Sequence, residues 1–382
     1  MNSFWDTDNK SDCSGCGACE AACGKSAITM LVDSEGFRYP HIEKQKCIAC
    51  GRCRTVCLAG KEMTLHNPIA AHAAVCREED KLLLSASGGA FYAVTMACAD
   101  STRIYGAAWT DRSHVAHLGA DAREAYERFR KSKYVQSDVT GIYSRIRSDL
   151  NEGTKVIFTG TPCQVAGLKA YLGKDDENLL TIDLVCHGVS NSELLEKCLT
   201  CYDRKNDKVS QISFRHKRVV DGKWNSKLLK LVYQSGKEVI LDYNTCGFLR
   251  GYDNGLFFRP SCSQCPYAQV LRASDITIGD FWGGEQLGYN PQRGASLILI
   301  NSEKGSTFFE EMRLHLIEEQ ISLDFAVAHN ARLNKPDKGS SHRARFFGKL
   351  ETFNFEDAVQ HVIPRVPRWK VMAHRIKNRL LK

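Results

Sequence analysis

Eight cysteines in two identically spaced runs constrain this chain more than any other feature. The runs are Cys13-x2-Cys16-x2-Cys19-x3-Cys23 and Cys47-x2-Cys50-x2-Cys53-x3-Cys57. This spacing suits two four-iron, four-sulfur cubes. Three close thiolates hold three corners of one cube, and the fourth cysteine of each run crosses to the other. Cys13, Cys16, Cys19 and Cys57 are therefore assigned to one 4Fe-4S cluster, and Cys47, Cys50, Cys53 and Cys23 to the second. The small residues between them (Ser14, Gly15, Gly17, Ala18, Ala49, Gly51) let the backbone wrap closely and aim amides at sulfur. Zinc favours cysteine pairs, often with histidine, over a doubled run of this kind. The proline that usually follows the fourth cysteine is replaced by Gly24 and Leu58, which alters the local turn and not the ligand set.

A chain of 382 residues with 43% apolar and 25% charged residues reads as a soluble globular protein, with room for about two or three domains. Seventeen cysteines are many for such a chain. Met1–Asp12 is polar, without the apolar core of an export signal, and no apolar run reaches the length of a membrane span. Cysteine richness without export implies a reducing compartment and metal ligation rather than disulfides, so a cytoplasmic, oxygen-sensitive protein is expected. The net charge of +8 is uneven. Arg365–Lys382 carries seven Lys/Arg and no acid, leaving +1 for the rest. The body is thus not a nucleic-acid-binding surface by charge.

Residues 1–65 form the cluster module, with short strands expected at Ala27–Val32 and Phe37–Ile42 around a turn at Asp33–Gly36. Beyond the Asn67-Pro68 linker, the chain alternates strand and helix. Ser87-Gly88-Gly89 leads into a helix. Lys155–Thr159 and Leu179–Val185 read as buried strands. Each leads to a helix, the first capped by Thr161 with Pro162 at its first position. That order implies a parallel pair, with Cys163 and Cys186 just beyond the carboxyl ends of neighbouring strands, where open α/β sheets place ligands. Val209–Phe214, Lys227–Gln234 and Glu238–Tyr243 read as antiparallel strands. Ile276–Phe281 and Ser296–Asn301 read as strands, and Ser302–Ile317 as a helix.

Four cysteines outside the module stand in loops: Cys163, Cys186, Cys262 and Cys265. Cys76, Cys98, Cys198, Cys201 and Cys246 lie within helical or strand patterns and read as small buried residues. By residue type alone the Cys262-x2-Cys265 pair suits zinc as well as iron. The segments Phe158–Leu168 (FTGTPCQVAGL), Asp183–Gly188 (DLVCHG), Cys262–Cys265, Ser274–Gly283 (SDITIGDFWG) and Ser132-Lys133-Tyr134 together resemble the coenzyme F420 hydrogenase/dehydrogenase beta-subunit family over about residues 1–330. Members of that family are flavoproteins in which FAD sits beside a 4Fe-4S cluster, and many carry an N-terminal two-cluster ferredoxin module. The resemblance implies that Cys163, Cys186, Cys262 and Cys265 ligate a third 4Fe-4S cluster. It also implies a fold class: an α+β ferredoxin-like module followed by a mixed-sheet α/β flavin domain. The implied parts of that domain are residues 70–155 and 156–330, with 331–382 as a basic tail.

The flavin contacts implied are Ser87, Gly88 and Gly89 at a helix start, where bare amides and the helix dipole favour phosphate, with Lys133, Tyr134 and Asp280. No G-x-G-x-x-G fingerprint is present, which argues against a Rossmann NAD site. Clusters pass single electrons and many organic substrates exchange hydride, and a flavin does both. The resemblance thus implies an oxidoreductase joining 4Fe-4S clusters through FAD to a hydride donor or acceptor. That substrate is F420, a deazaflavin, or another organic molecule, since some bacterial relatives are associated with surface-polysaccharide biosynthesis. Two alternatives stand beside it: an electron-transfer subunit with no substrate of its own, served by a redox partner protein, and a structural iron–sulfur or zinc protein. In the tail, Trp369, Met372, Ile376 and Leu380 share a helical face while Arg368, Arg375, Arg379 and Lys382 lie away from it. A basic amphipathic helix of this kind suits peripheral contact with an anionic membrane or an acidic partner, or packing on its own domain.

Overall fold

The two cysteine runs fold as one repeated turn. In the computed structural model, which describes residues 4–61, 63–220, 223–290 and 293–366, Gly17 and Gly51 follow the second cysteine of each run with left-handed φ of +76° and +75°. Each caps a one-turn helix, Ala18–Ala21 or Arg52–Thr55, that carries the third cysteine. A side chain is strained at such a φ, so the turn asks for glycine at both places. Between the runs, Ile28–Val32 (β1) pairs antiparallel with Arg38–Ile42 (β2). Their turn is held by Asp33 Oδ1, which accepts from the amides of Glu35 and Phe37 at 3.0 and 2.9 Å.

The rest of the chain is a mixed α/β body. Its remaining strands are Ala70–Cys76 (β3), Arg103–Trp109 (β4), Val115–Asp121 (β5), Val156–Gly160 (β6), Leu179–Leu184 (β7), Val209–Val220 (β8), Lys223–Tyr233 (β9), Glu238–Leu241 (β10), Ile276–Asp280 (β11), Ser296–Ile300 (β12) and Leu316–Ile321 (β13). One sheet has the order β13-β3-β12-β11-β7-β6-β4-β5. Its central strands β11, β7, β6 and β4 run parallel, and the outer ones join antiparallel. All of β6 is buried, as expected of a parallel strand covered on both faces. The division expected near residue 155 falls inside this continuous sheet. A capping box between Thr161 and Gln164, with Pro162 at the first position, starts the Pro162–Leu172 helix directly after β6.

The strands β8, β9 and β10 make a separate antiparallel sheet. Its register slips between Ser213 and His216, and within that slip Arg215 has a φ of +55°. A bulge of this kind re-aims a side chain, and here it turns Arg215 inward, where the residue is buried.

Two expectations are corrected. The helix expected over Ser302–Ile317 stops at Arg313, and Leu316–Ile321 adds to the edge of β3 instead. The polar run Glu318-Glu319-Gln320 hides that strand, yet Glu318 pairs with His72 of β3 at 2.7 Å. The tail expected from residue 331 does not begin there. The helices Arg343–Leu350 and Phe355–Val362 bury Phe346, Phe355, Ala358 and Val359 in one core with Phe248 and Phe257. A helix with that many apolar residues on one face needs a partner surface. The amphipathic stretch from Trp369 onward lies outside the described residues. Among the described residues, no helix is long and apolar enough to cross a membrane.

Candidate functional site

The cysteines gather into three groups. Cys13, Cys16, Cys19 and Cys57 line one cavity together with Phe4, Trp5, Met30 and Pro40. Burial pushes the Cys16 thiol up to about 12, and nearby Cys13, Cys163 and Cys57 add like-charge repulsion. Burial also raises Cys19, with Cys16, Cys13 and Cys57 adding to it. Cys53 is raised by burial and has Cys47 and Cys50 beside it. Cys23 sits after the first one-turn helix, and its Sγ accepts from the Ala27 amide at 3.2 Å. Cys47 and Cys50 are exposed, whereas the first group is partly buried against the body.

The third group forms at the carboxyl ends of the central strands. Cys163 opens the helix after β6, and Cys186 lies two residues beyond β7. Cys262 lies in, and Cys265 ends, the Pro260–Gln264 turn. Burial raises Cys186, and Cys262, Cys163 and Cys265 lie close enough to raise it further. Burial pushes Cys262 up to about 12 and Cys265 to about 11. Thiols raised this far stay protonated until a metal displaces the proton.

The spacing of these sulfurs bears on what they hold. A tetrahedral zinc with Zn–S of about 2.3 Å keeps its sulfurs about 3.8 Å apart. Among the described residues, Cys198, Cys246 and Glu356 are the one set of three metal-type ligands within 4.8 Å of one another, so no three of the twelve thiols close to single-ion spacing. A cube of four irons takes a wider frame than a single ion. The Cys198–Cys246–Glu356 set is a hydrogen-bonded knot. Glu356 Oε1 already accepts from the Gly247 amide and the Tyr202 hydroxyl, both at 2.7 Å.

The first and third groups adjoin. Cys163 and Gly167 sit one helical turn apart on the same helix. A Cβ on Gly167 would lie 2.9 Å from Cys16 Cβ and 3.1 Å from its Sγ. The Tyr143 hydroxyl lies 2.8 Å from the carbonyls of both Cys16 and Gln164. Arg259, three residues before Cys262, is 1% exposed and ties the seam. Its Nε donates to Cys13 O at 2.7 Å, its Nη2 to Cys13 Sγ at 3.5 Å and Arg38 O at 2.9 Å, and its Nη1 to Gln136 at 3.1 Å. Its charge also reaches Cys163 and Cys262.

A run of aromatic contacts leads from the third group to a patch of cations. The Tyr252 ring, near Cys186 and Cys262, stacks on Tyr134 at 4.2 Å and 8°. Tyr134 in turn contacts Arg215. Arg215 pairs with Asp280 at 3.1 Å, and Arg215 and Lys227 lie over the Trp282 ring. Lys217 donates to Leu82 O at 2.7 Å and Ser87 O at 2.6 Å. Burial, then the neighbouring Arg215, pushes Lys217 down to about 7. Burial pushes Lys131 to about 8. Asp280 lies near both Arg215 and Lys217, and Asp253 near Arg215.

Of the expected flavin residues, Ser87, Tyr134 and Asp280 lie at this patch. Lys133 donates to Phe129 O and Arg130 O at 2.7 and 2.9 Å, the carbonyls ending the Ala122–Phe129 helix. Tyr134 packs against protein rings, Tyr252 and Phe214. A Cβ on Gly88 would lie 2.3 Å from both Ala74 O and Ser296 N, and one on Gly89 would lie 2.7 Å from Cys76 Cβ. Close approach to β3 and β12 calls for glycine at both positions.

With this geometry in hand, residues 153–322 match the family described as the C terminus of the coenzyme F420 hydrogenase/dehydrogenase beta subunit. That stretch of the chain is similar to the family. Residues 12–61 match the 4Fe-4S dicluster domain. The beta-subunit match spans the third thiol group, and the dicluster match spans the first two. No curated protein matches the chain. One similar solved structure is a chain of the F420-reducing [NiFe] hydrogenase complex from Methanosarcina barkeri. It is 17% identical, covers 79% of this chain and 94% of that one, and has a TM-score of 0.46, too coarse a likeness to carry an argument about the site. The two matched stretches together make the chain similar to iron–sulfur electron-transfer oxidoreductases of the F420 hydrogenase beta-subunit type.

Arg259, Arg215, Lys217 and Lys131 do not stand out in the sequence. Arg259 has one local signal, its place just before Pro260 and Cys262. The other three are brought together only by the bulged β8 strand.

Proposed function

We propose that the chain passes electrons along three 4Fe-4S clusters to and from an FAD held at the Arg215–Lys217 patch, where an organic substrate such as the deazaflavin F420 exchanges hydride. When bound, FAD supplies the exchange between hydride and single electrons, and the clusters supply single-electron passage. The observation that carries this reading is the row of thiol groups. Exposed Cys47 and Cys50 stand at one end, Cys16 adjoins Cys163 in the middle, and Cys186 reaches the cation patch through Tyr252 and Tyr134 at the other end.

The chain's own residues have separate tasks. The twelve cysteines hold iron, and Arg259 steadies the seam and offers positive charge to a ligand sulfur. Arg215, Lys217 and Lys131 bind the pyrophosphate, and Asp280 orients Arg215. Trp282, half exposed beneath Arg215 and Lys227, offers a ring face at the patch rim. Protein purified without oxygen is expected to release one FAD per chain on denaturation and to carry the broad visible absorption of iron–sulfur clusters.

A second reading, an electron-transfer subunit with clusters and no flavin, is favoured by the packing of Tyr134 and Gly88-Gly89 against protein. Full iron content with no flavin would establish it and sink the first. Membrane contact through the basic tail remains an expectation from the sequence.

A further inference from the structure

The loop that carries the second thiol group is built differently from the rest of the module. Residues 44–50 are all exposed. At its tip Ile48 is 63% exposed, and Ala49 has a φ of +54°. A large apolar side chain is thus held out between the exposed Cys47 and Cys50. Cations surround it. Lys25 follows Cys23 by two residues, Lys44 and Lys46 precede Cys47, and Arg52 and Arg54 flank Cys53, all of them exposed. The acids nearby are Glu43 and Asp6, which pair with Lys46 and Arg54. Those pairs are solvent-facing and leave the loop net positive. The first group, by contrast, is sealed against the body by Arg259, Tyr143 and Gly167.

We infer that this loop is the docking face for an acidic one-electron carrier protein, with Ile48 as the apolar contact and Lys25, Lys44 and Arg52 as the steering charges. The inference rests on the cluster reading above and adds the partner's chemistry to it. An exposed cluster ligand shortens the electron's path to whatever covers it, and a ring of one charge selects the opposite charge and raises the encounter rate. The exchange moves one electron and no atoms. The carrier is oxidised as the second cluster is reduced, or the reverse. An anionic lipid or nucleic-acid surface would meet the same charges but has no electron to exchange.

The test uses the full chain with its clusters, and a plant-type 2Fe-2S ferredoxin, which is acidic, as probe. Iron content is measured first. Fewer irons than the first two thiol groups require would remove the cluster reading, and this proposal with it. With clusters present, association is measured at 50 and 200 mM salt, for wild type and for Lys44→Glu/Arg52→Glu. The expected results are at least a tenfold loss of affinity at the higher salt and a tenfold loss in the double variant, with unchanged iron content and unchanged reduction by dithionite. Cationic cytochrome c is expected not to bind. Salt-independent ferredoxin binding, wild-type binding by the variant, or tighter binding to cytochrome c or to anionic phosphatidylserine vesicles would each overturn the proposal.

Discussion

Arg259→Gln offers a direct probe of the seam between the first and third thiol groups. The substitution removes a fully buried positive charge whose Nη2 lies 3.5 Å from Cys13 Sγ. It leaves a side chain able to keep part of the hydrogen bonding to Cys13 O and Gln136. Reduction adds one negative charge to a cluster, so a nearby guanidinium favours the reduced form. Losing it lowers the midpoint potential. For a charge about 6 Å from the cluster centre at an effective dielectric of about 20, Coulomb's law gives roughly 3 kcal/mol. A tenfold change in a one-electron equilibrium is about 59 mV, so the expected fall is roughly 130 mV. The third cluster is expected to shift the same way by less, because the Arg259 charge also reaches Cys163 and Cys262. The second cluster has no contact with Arg259 and serves as an internal standard. The assay is a redox titration followed by electron paramagnetic resonance, with Arg259→Lys as the charge-retaining companion. A first-cluster potential that stays at the wild-type value or rises, at full iron content, would refute the reasoning.

Gly167→Ala inserts a methyl 2.9 Å from Cys16 Cβ and 3.1 Å from the Tyr143 hydroxyl. It is expected to destabilise by about 1–3 kcal/mol and to lower iron content, as read by denaturation and iron assay. Lys217 titrates near 7 in the fold against 10.5 for an exposed lysine. Between those values the unfolded chain binds more protons, so flavin-free protein gains stability as pH rises from about 7 to 10, by up to about 1.4 kcal/mol per unit for each such lysine. Lys217→Met is expected to flatten that rise and to weaken FAD retention, checked by pH-dependent melting and flavin release; a retained slope would assign it to other groups. Cys262→Ser is expected to cost about a third of the iron, which elemental analysis measures directly, since one of three cubes loses a ligand.

Much of the metal chemistry was legible because it is local. The positions of Cys13–Cys57 follow from spacing, and the places of Cys163 and Cys186 follow from two apolar strands that each end in a loop. The cofactor-facing charges were not legible, because they depend on tertiary geometry. Arg215 looks like one basic residue in a strand until the bulge at φ +55° turns it inward. Lys133 stands beside Tyr134 in a family-like motif, and the sequence does not reveal that its Nζ donates to two helix-ending carbonyls. Gly88 and Gly89 looked like a phosphate turn, and the strands they pack against, β3 and β12, supply a sufficient reason for both. Leu316 and Ile317, the first residues of β13, were read as the end of a helix, and the glutamates that follow obscure the alternation of an exposed edge.

The most direct measurement is the iron and acid-labile sulfide content of the full chain purified without oxygen. Three thiol groups each holding a cube predict about twelve irons and twelve sulfides per chain. A value near eight, unchanged by Cys262→Ser, would contradict the third cluster and break the proposed path between the ferredoxin-like module and the cation patch.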